Sequence, residues 1–134
     1  MKYLFSTALI FLGLIASSYA DGLLGKTLRG TYVNTICSSK CSSGPVIKFH
    51  WYISTQGRLF EYTTGKLILD QGTKQNGAVR TVRGDTIFLD TGTVTYAFSA
   101  SGSTCAVTVV KYPPRYTSFT VSNVTCSVTD GPPG

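Results

Sequence analysis

The strongest constraint on the fold is a series of short β-forming segments separated by glycine turns. Runs rich in Val, Ile, Thr, Tyr and Phe alternate with turns about every eight to twelve residues, and no helical periodicity follows the N-terminal segment. The predicted strands are roughly 26–36, 46–55, 58–64, 66–71, 78–83, 86–91, 93–100, 103–112 and 117–128. This pattern predicts an all-β, antiparallel up-and-down meander of about eight strands. Because closure removes exposed edges, we expect a small barrel, with a two-sheet β-sandwich as the alternative.

The turn residues predict which side chains face each other across the sheet. A two-residue turn at Thr91-Gly92 places Leu89 opposite Val94, and a turn at Ser101-Gly102 places Phe98 opposite Cys105. Because side chains alternate between the faces of a strand, these registers gather the apolar residues on one continuous face. That face comprises Ile87, Leu89, Val94, Tyr96, Phe98, Cys105, Val107 and Val109.

Four cysteines in a chain of this kind predict two disulfides, for which three connectivities are possible. Cys37 and Cys41 can close a tight local loop, which leaves Cys105 with Cys126. A loop centred between residues 115 and 116 also places Cys126 directly opposite Cys105. A zinc site is disfavoured because Cys37 and Cys41 are separated by three residues and the chain has one histidine. We expect no metal and no cofactor.

The N-terminal residues have the pattern of a secretory signal. Lys2 precedes an apolar run, and Ser18 and Ala20 supply the small residues of a cleavage site. We therefore expect residues 1–20 to be removed, 21–129 to form a single domain and 130–134 to be a disordered tail. The product would be exported, either periplasmic or extracellular. Membrane embedding is not expected, because the apolar run is short and the strands carry polar second faces.

The net charge of +6 is spread over single Lys and Arg residues. Such a surface favours acidic partners without specificity. Nucleic-acid binding is not expected, because it normally requires a clustered basic face.

Catalytic residues are scarce. Glu61 and Asp70 are a conceivable acid/base pair, but nothing in the sequence brings them together. His50 would have to serve any Ser–His–Asp arrangement, and the chain contains no Gly-x-Ser-x-Gly motif. We therefore predict a non-enzymatic protein, and keep a weak hydrolase that uses His50 or Glu61 as a third hypothesis.

The segment from Val46 to Tyr62 contains the single His and the single Trp of the chain, His50 and Trp51. Adjacent strand residues point to opposite faces, so these two side chains cannot form one site. A turn at Gln56-Gly57 places Trp51 opposite Tyr62 on the core face. The same register predicts an exposed stripe and a candidate contact surface formed by Lys48, His50, Tyr52 and Glu61. A second candidate patch in the 112–116 region comprises Tyr112, Arg115 and Tyr116, since Tyr and Arg are enriched at protein contacts.

These features favour a small, exported, disulfide-stabilised protein that binds another exported or envelope macromolecule, either a protein or a glycan, as an inhibitor or adhesion accessory. Asn123-Val124-Thr125 fits the glycosylation acceptor pattern, and Asn123 is predicted to face solvent. The alternative function is a carrier of a small apolar or sugar ligand. In strand count and size alone the chain resembles lipocalins and avidins, but the N-terminal Gly-x-Trp signature of lipocalins is absent, and Gly30-Thr31-Tyr32 is only a faint echo of it.

Overall fold

The computed structural model describes residues 22–63, 72–75 and 77–133. The predicted signal peptide at 1–20, the predicted strand at 66–71 and Asp70 lie outside the described residues. They stay predictions.

The described residues form one antiparallel sheet of nine strands that curls into a half-barrel, and they contain no helix. The predicted all-β meander closing into a small barrel is confirmed, and the two-sheet sandwich is not what forms. The strands are β1 (Lys26–Cys37), β2 (Cys41–Ile53), β3 (Leu59–Glu61), β4 (Lys74–Gln75), β5 (Ala78–Arg83), β6 (Thr86–Asp90), β7 (Thr95–Ser101), β8 (Thr104–Lys111) and β9 (Ser118–Asp130). Their order is β3-β2-β1-β9-β8-β7-β6-β5-β4, so the first and last long strands lie side by side.

Aromatic rings fill the concave side of the sheet. The rings come from β1, β2 and β7, and neighbouring centroids are 4.7 to 6.4 Å apart. This cluster comprises Tyr32, Phe49, Trp51, Tyr96 and Phe98. Burial raises the pKa of both Tyr32 and Tyr96, and the Tyr96 hydroxyl donates a hydrogen bond to Asn34 Oδ1 at 3.1 Å. Burial of bulky rings supplies most of the apolar area that a small domain needs.

Two hairpin registers differ from the prediction by two residues. Leu89 pairs with Tyr96, and Phe98 pairs with Val107. The first turn is longer than expected because the Thr91 side chain bonds both the backbone N–H and the C=O of Val94, at 3.1 and 3.0 Å. Since a shift of two residues keeps every side chain on its face, the predicted apolar face survives.

The β2–β3 hairpin differs from the prediction by one residue, which reverses the faces of β3. Trp51 pairs with Glu61, and Ile53 pairs with Leu59. The buried Ser54 hydroxyl accepts a hydrogen bond from Arg58 N at 3.0 Å, and this contact lengthens the turn. The prediction that Trp51 faces Tyr62 and that Glu61 faces solvent is therefore wrong. Glu61 lies on the inner face, and Tyr62 lies on the outer face.

Both predicted disulfides are confirmed, Cys37–Cys41 and Cys105–Cys126. Cys105 and Cys126 lie next to Thr104 and Ser127, which form the single paired position of the β8–β9 ladder. Their Cα atoms are 5.0 Å apart. The disulfide therefore lies where these two strands come together.

An irregularity in β9 sits at the predicted glycosylation motif. The β1–β9 register shifts by one residue between Thr31 and Val33, and Asn123 has φ of 50°. Asn tolerates this left-handed conformation better than most residues, which suits it to a bulge. Asn123 is exposed, as the sequence predicted. Whether it carries a glycan stays a prediction.

The end of β9 and the residue that follows it are held against the start of β1. Asp130 belongs to β9 and forms an ion pair with Lys26, while Gly131 N donates to Gly25 O at 2.8 Å. Asp130 and Gly131, the first residues of the predicted tail, are thus held by the sheet, and the disorder of the tail stays a prediction.

Candidate functional site: a basic groove on the outer face

A groove of about 680 Å³ lies on the convex side of the sheet, where β9, β1, β2 and β3 are neighbours. We call it the outer groove. Most of its side chains are basic, hydroxylated or aromatic, and the described residues that line it include no Asp or Glu. The lining residues are Arg29, Gly30, Thr31, Lys48, Phe49, His50, Tyr62, Thr63, Thr125, Cys126 and Ser127.

Strand register brings the polar side chains of the outer groove together. Arg29 on β1 pairs with His50 on β2 and with Ser127 on β9. In the next row, Thr31 pairs with Lys48 and with Thr125. Since directly opposed side chains have Cβ atoms about 5 Å apart, these two rows place two cations and an imidazole within one ligand-sized area.

Gly30 permits the tight approach of strands beneath the outer groove. A Cβ atom at this position would lie 1.8 Å from the backbone O of Thr125 and 2.7 Å from the Phe49 ring. No side chain fits that space. The glycine lets β9 and the Phe49 ring close onto β1 and so fixes the floor of the groove.

His50 is the titratable group at the centre of the outer groove. Burial lowers the pKa of His50 below the ordinary histidine value, and the nearby Arg29 guanidinium lowers it further. The Tyr62 ring lies beside the imidazole, with 5.2 Å between centroids, and the Tyr62 backbone N–H donates to His50 O at 2.8 Å. The neutral imidazole is therefore favoured while Arg29 has no anionic partner.

The hydroxyls of Thr31 and Thr125 form a pair along the outer groove. Their Oγ1 atoms are 2.8 Å apart, and Thr31 N donates to Thr125 Oγ1 at 2.9 Å. One of these hydroxyls donates to the other, so the accepting hydroxyl keeps its own proton for a further acceptor. Ser127 Oγ donates to Arg29 O at 3.3 Å.

The four residues of the predicted stripe separate in the structure. Lys48 and His50 line the outer groove, and Tyr52 lies next to it on the same face against Phe60, with ring centroids 5.9 Å apart. Glu61 points to the inner face, where Trp51 Nε1 donates to Glu61 Oε1 at 3.3 Å and Arg80 Nη2 lies 3.5 Å from the same oxygen. The predicted contact surface therefore lacks the negative charge of Glu61.

The second predicted patch forms a separate aromatic cluster at the other end of β1. Tyr112 and Tyr116 both pack against Phe119, each with 6.1 Å between centroids. The Arg115 guanidinium lies 4.8 Å from the centre of the Tyr116 ring. Thr117 N donates to Cys37 O at 2.9 Å, so the cluster lies about 25 Å from Arg29 along β1. Lys48 and His50 do not share a site with these residues.

Of the nominated catalytic residues, the structure describes His50 and Glu61 and does not bring them together, while Asp70 lies outside the described residues. His50 lies on the outer face and Glu61 on the inner face of the same hairpin. Within the described part of the chain, no three His, Cys, Asp or Glu side chains form a possible metal site. No helix among the described residues has the length and apolar character needed to cross a membrane.

Comparison with known proteins gives no family for this chain. No family model, no curated protein and no solved structure matches it.

The predicted stripe missed five polar or aromatic residues of the outer groove: Arg29, Thr31, Tyr62, Thr125 and Ser127. The signal for Arg29 and Thr31 is the alternation of β1. Leu28 and Tyr32 are buried on the inner face, so the positions next to them, 29 and 31, face outward. The pairing of β1 with β9 cannot be read from a local sequence pattern, because the two strands lie far apart in the sequence. Thr125 and Ser127 depend on that pairing.

Proposed function

We propose that this chain is a non-enzymatic binding protein that attaches to an exported or envelope macromolecule through the outer groove. The observation that carries the proposal is the meeting of Arg29, Lys48 and His50 on one face with no carboxylate among the described groove residues. Uncompensated cations around a concave surface attract a ligand of opposite charge. Two disulfides fit the oxidising compartment in which such a partner would be met.

The filled interior favours surface binding over the carrier hypothesis. Trp51 is 2% exposed and Phe98 is fully buried, and their rings contact edge to face at 4.7 Å between centroids. A carrier would need space at this position, whereas close-packed rings leave little of it. The carrier hypothesis predicts that ligands change Trp51 fluorescence, and surface binding in the outer groove predicts little change.

A retention assay tests the proposed function. Purified protein is incubated with surface polymers isolated from the producing cells, and the bound fraction is measured for wild type, the double variant Arg29→Gln/His50→Gln, and Arg115→Gln. The double variant should lose most of its retention, because it removes the central cation and the imidazole. Arg115→Gln should bind like wild type, because Arg115 lies in the distant aromatic cluster.

Normal retention of the double variant would contradict the proposal. Loss of retention in Arg115→Gln alone would move the binding site to the aromatic cluster at the other end of β1.

A further inference from the structure

We infer that the outer groove binds an anionic saccharide, whose acidic group lies between Arg29, Lys48 and His50 and whose sugar ring lies against Tyr62. This inference rests on the proposed function and names the chemical class of its ligand. A carboxylate and a sulfate present the same acceptor chemistry to these donors, so both belong to the class.

The charged side chains define the acidic part of the ligand. Arg29 is exposed and faces His50 across the β1–β2 ladder, while Lys48 lies two residues before His50 on the same face, about 7 Å along the strand. A guanidinium binds planar oxyanions with two parallel hydrogen bonds, and a lysine ammonium adds a point charge. Since the described residues of the groove carry no competing carboxylate, these donors are available to a ligand.

The remaining groove residues define the neutral part of the ligand. Tyr62 is 41% exposed. Its ring therefore offers a flat apolar surface for the C–H face of a sugar ring. The Thr31–Thr125 hydroxyl pair and Ser127 supply short hydrogen-bonding groups of the kind that meet sugar hydroxyls. Few convergent polar groups beside aromatic surface are typical of small-ligand sites, and about 680 Å³ is within their usual size.

A flexible nucleic acid is a poorer fit to the same groove. Binding along a nucleic-acid backbone needs a row of cations and successive stacking rings. In the outer groove the two cations and the imidazole form one compact group. The Tyr52–Phe60 ring pair lies in a neighbouring row of the sheet. That row contains Thr27 on β1 and Thr129 on β9, and no cation.

His50 makes the binding sensitive to pH. The groups that face it are Arg29 from β1, Lys48 from its own strand and Tyr62, the residue that follows β3. An anion placed among them favours the imidazolium form, so binding takes up a proton when His50 is neutral beforehand. Affinity should therefore rise as pH falls through the histidine range, and His50→Gln should remove that rise.

Titration calorimetry of the purified protein with defined polymers tests the inference. The probes are polygalacturonate for carboxylate, dextran sulfate for sulfate, neutral dextran and single-stranded DNA, each at about pH 5 and about pH 8. Arg29→Gln should weaken binding of the anionic saccharide about tenfold, as expected for the loss of one charge-assisted contact. The matched control is Arg83→Gln, which removes the same charge from β5, where Arg83 stacks on Phe88 at 5.9 Å. It should change affinity less than about twofold.

Three results would overturn the inference. Equal weakening by Arg29→Gln and Arg83→Gln would show attraction to net charge alone. DNA or neutral dextran bound as tightly as the anionic saccharides would exclude the class. The third result combines both assays: neither anionic saccharide binds, yet the Arg29→Gln/His50→Gln variant is not retained on the surface polymers that retain the wild type. This result would reject the ligand class and leave the proposed function standing.

Discussion

Glu61 and Arg80 form an ion pair largely shielded from water, with side-chain exposures of 13% and 12%. Arg80 Nε is buried and has no hydrogen-bond partner among the described residues. Glu61 therefore provides the charge that compensates Arg80 inside the curled sheet. Removing one partner of such a pair leaves an uncompensated charge and costs more than the pair itself contributes.

Glu61→Gln should destabilise the protein by about 2 kcal/mol, less than a fully buried pair because some water reaches these side chains. Urea denaturation followed by Trp51 fluorescence measures the change. Lys26→Gln is the control, because its partner Asp130 has an exposed side chain, and it should cost less than about 1 kcal/mol. An equal loss in both variants would contradict the shielding of the Glu61–Arg80 pair.

Gly30→Ala should be among the most damaging small substitutions in the chain. Its Cβ would lie 1.8 Å from Thr125 O, so β1 and β9 would have to separate. We expect a loss of about 2 kcal/mol or more in denaturant unfolding. The control, Gly44→Ala, places a Cβ 3.9 Å from Asn34 O and should be nearly neutral. A tolerated Gly30→Ala would mean that the strands are further apart than described.

His50 should titrate below the ordinary histidine range in an NMR pH titration. Burial is the main cause and Arg29 the second, so Arg29→Gln should raise the pKa of His50 part of the way back. Because the folded state binds the proton less readily than the unfolded state, the His50 contribution to stability is complete above the unfolded pKa. It declines as pH falls from there towards the folded pKa. An unchanged His50 pKa in Arg29→Gln would contradict their proximity.

At the scale of strands and turns, the Cys105–Cys126 disulfide joins two strands that otherwise share one paired position, Thr104 with Ser127. It closes a loop with a sequence separation of 21, against 4 for Cys37–Cys41. The longer loop loses more unfolded-state entropy when it is cross-linked.

Replacing Cys105 and Cys126 together by serine should therefore cost about 3 kcal/mol, and replacing Cys37 and Cys41 about 2 kcal/mol. Thermal and urea unfolding of both double variants measure the difference. A larger loss from the Cys37/Cys41 variant would show that the short loop stabilises more than its length predicts.

The elements that the sequence pattern predicted well were those whose signal is local. Alternation placed Ile87, Phe98 and Val107 on the inner face even though the turns were misjudged by two residues. The β2–β3 turn depends on the buried Ser54 hydroxyl, which composition does not reveal. A difference of one residue there exchanged Glu61 with Tyr62 between the two faces. The predicted contact surface had mixed charge, whereas the observed surface is basic because Glu61 lies on the other face.

At the scale of the whole molecule, the sheet separates two kinds of surface. The inner face is filled by aromatic rings, and the outer face carries the basic groove where β1 lies between β9 and β2. The pairing of β1 with β9 joins residues such as Thr31 and Thr125, which are 94 positions apart. Such long-range pairing follows from curling of the whole sheet, so the complete groove could not be predicted from local pattern.

Backbone NMR shift mapping during titration with an oligogalacturonide tests most directly whether the protein binds through the outer groove. We expect the largest shifts at Arg29, His50 and Ser127, with little change at Trp51. Shifts centred on Tyr112 and Tyr116, or on the inner rings, would contradict binding through the outer groove.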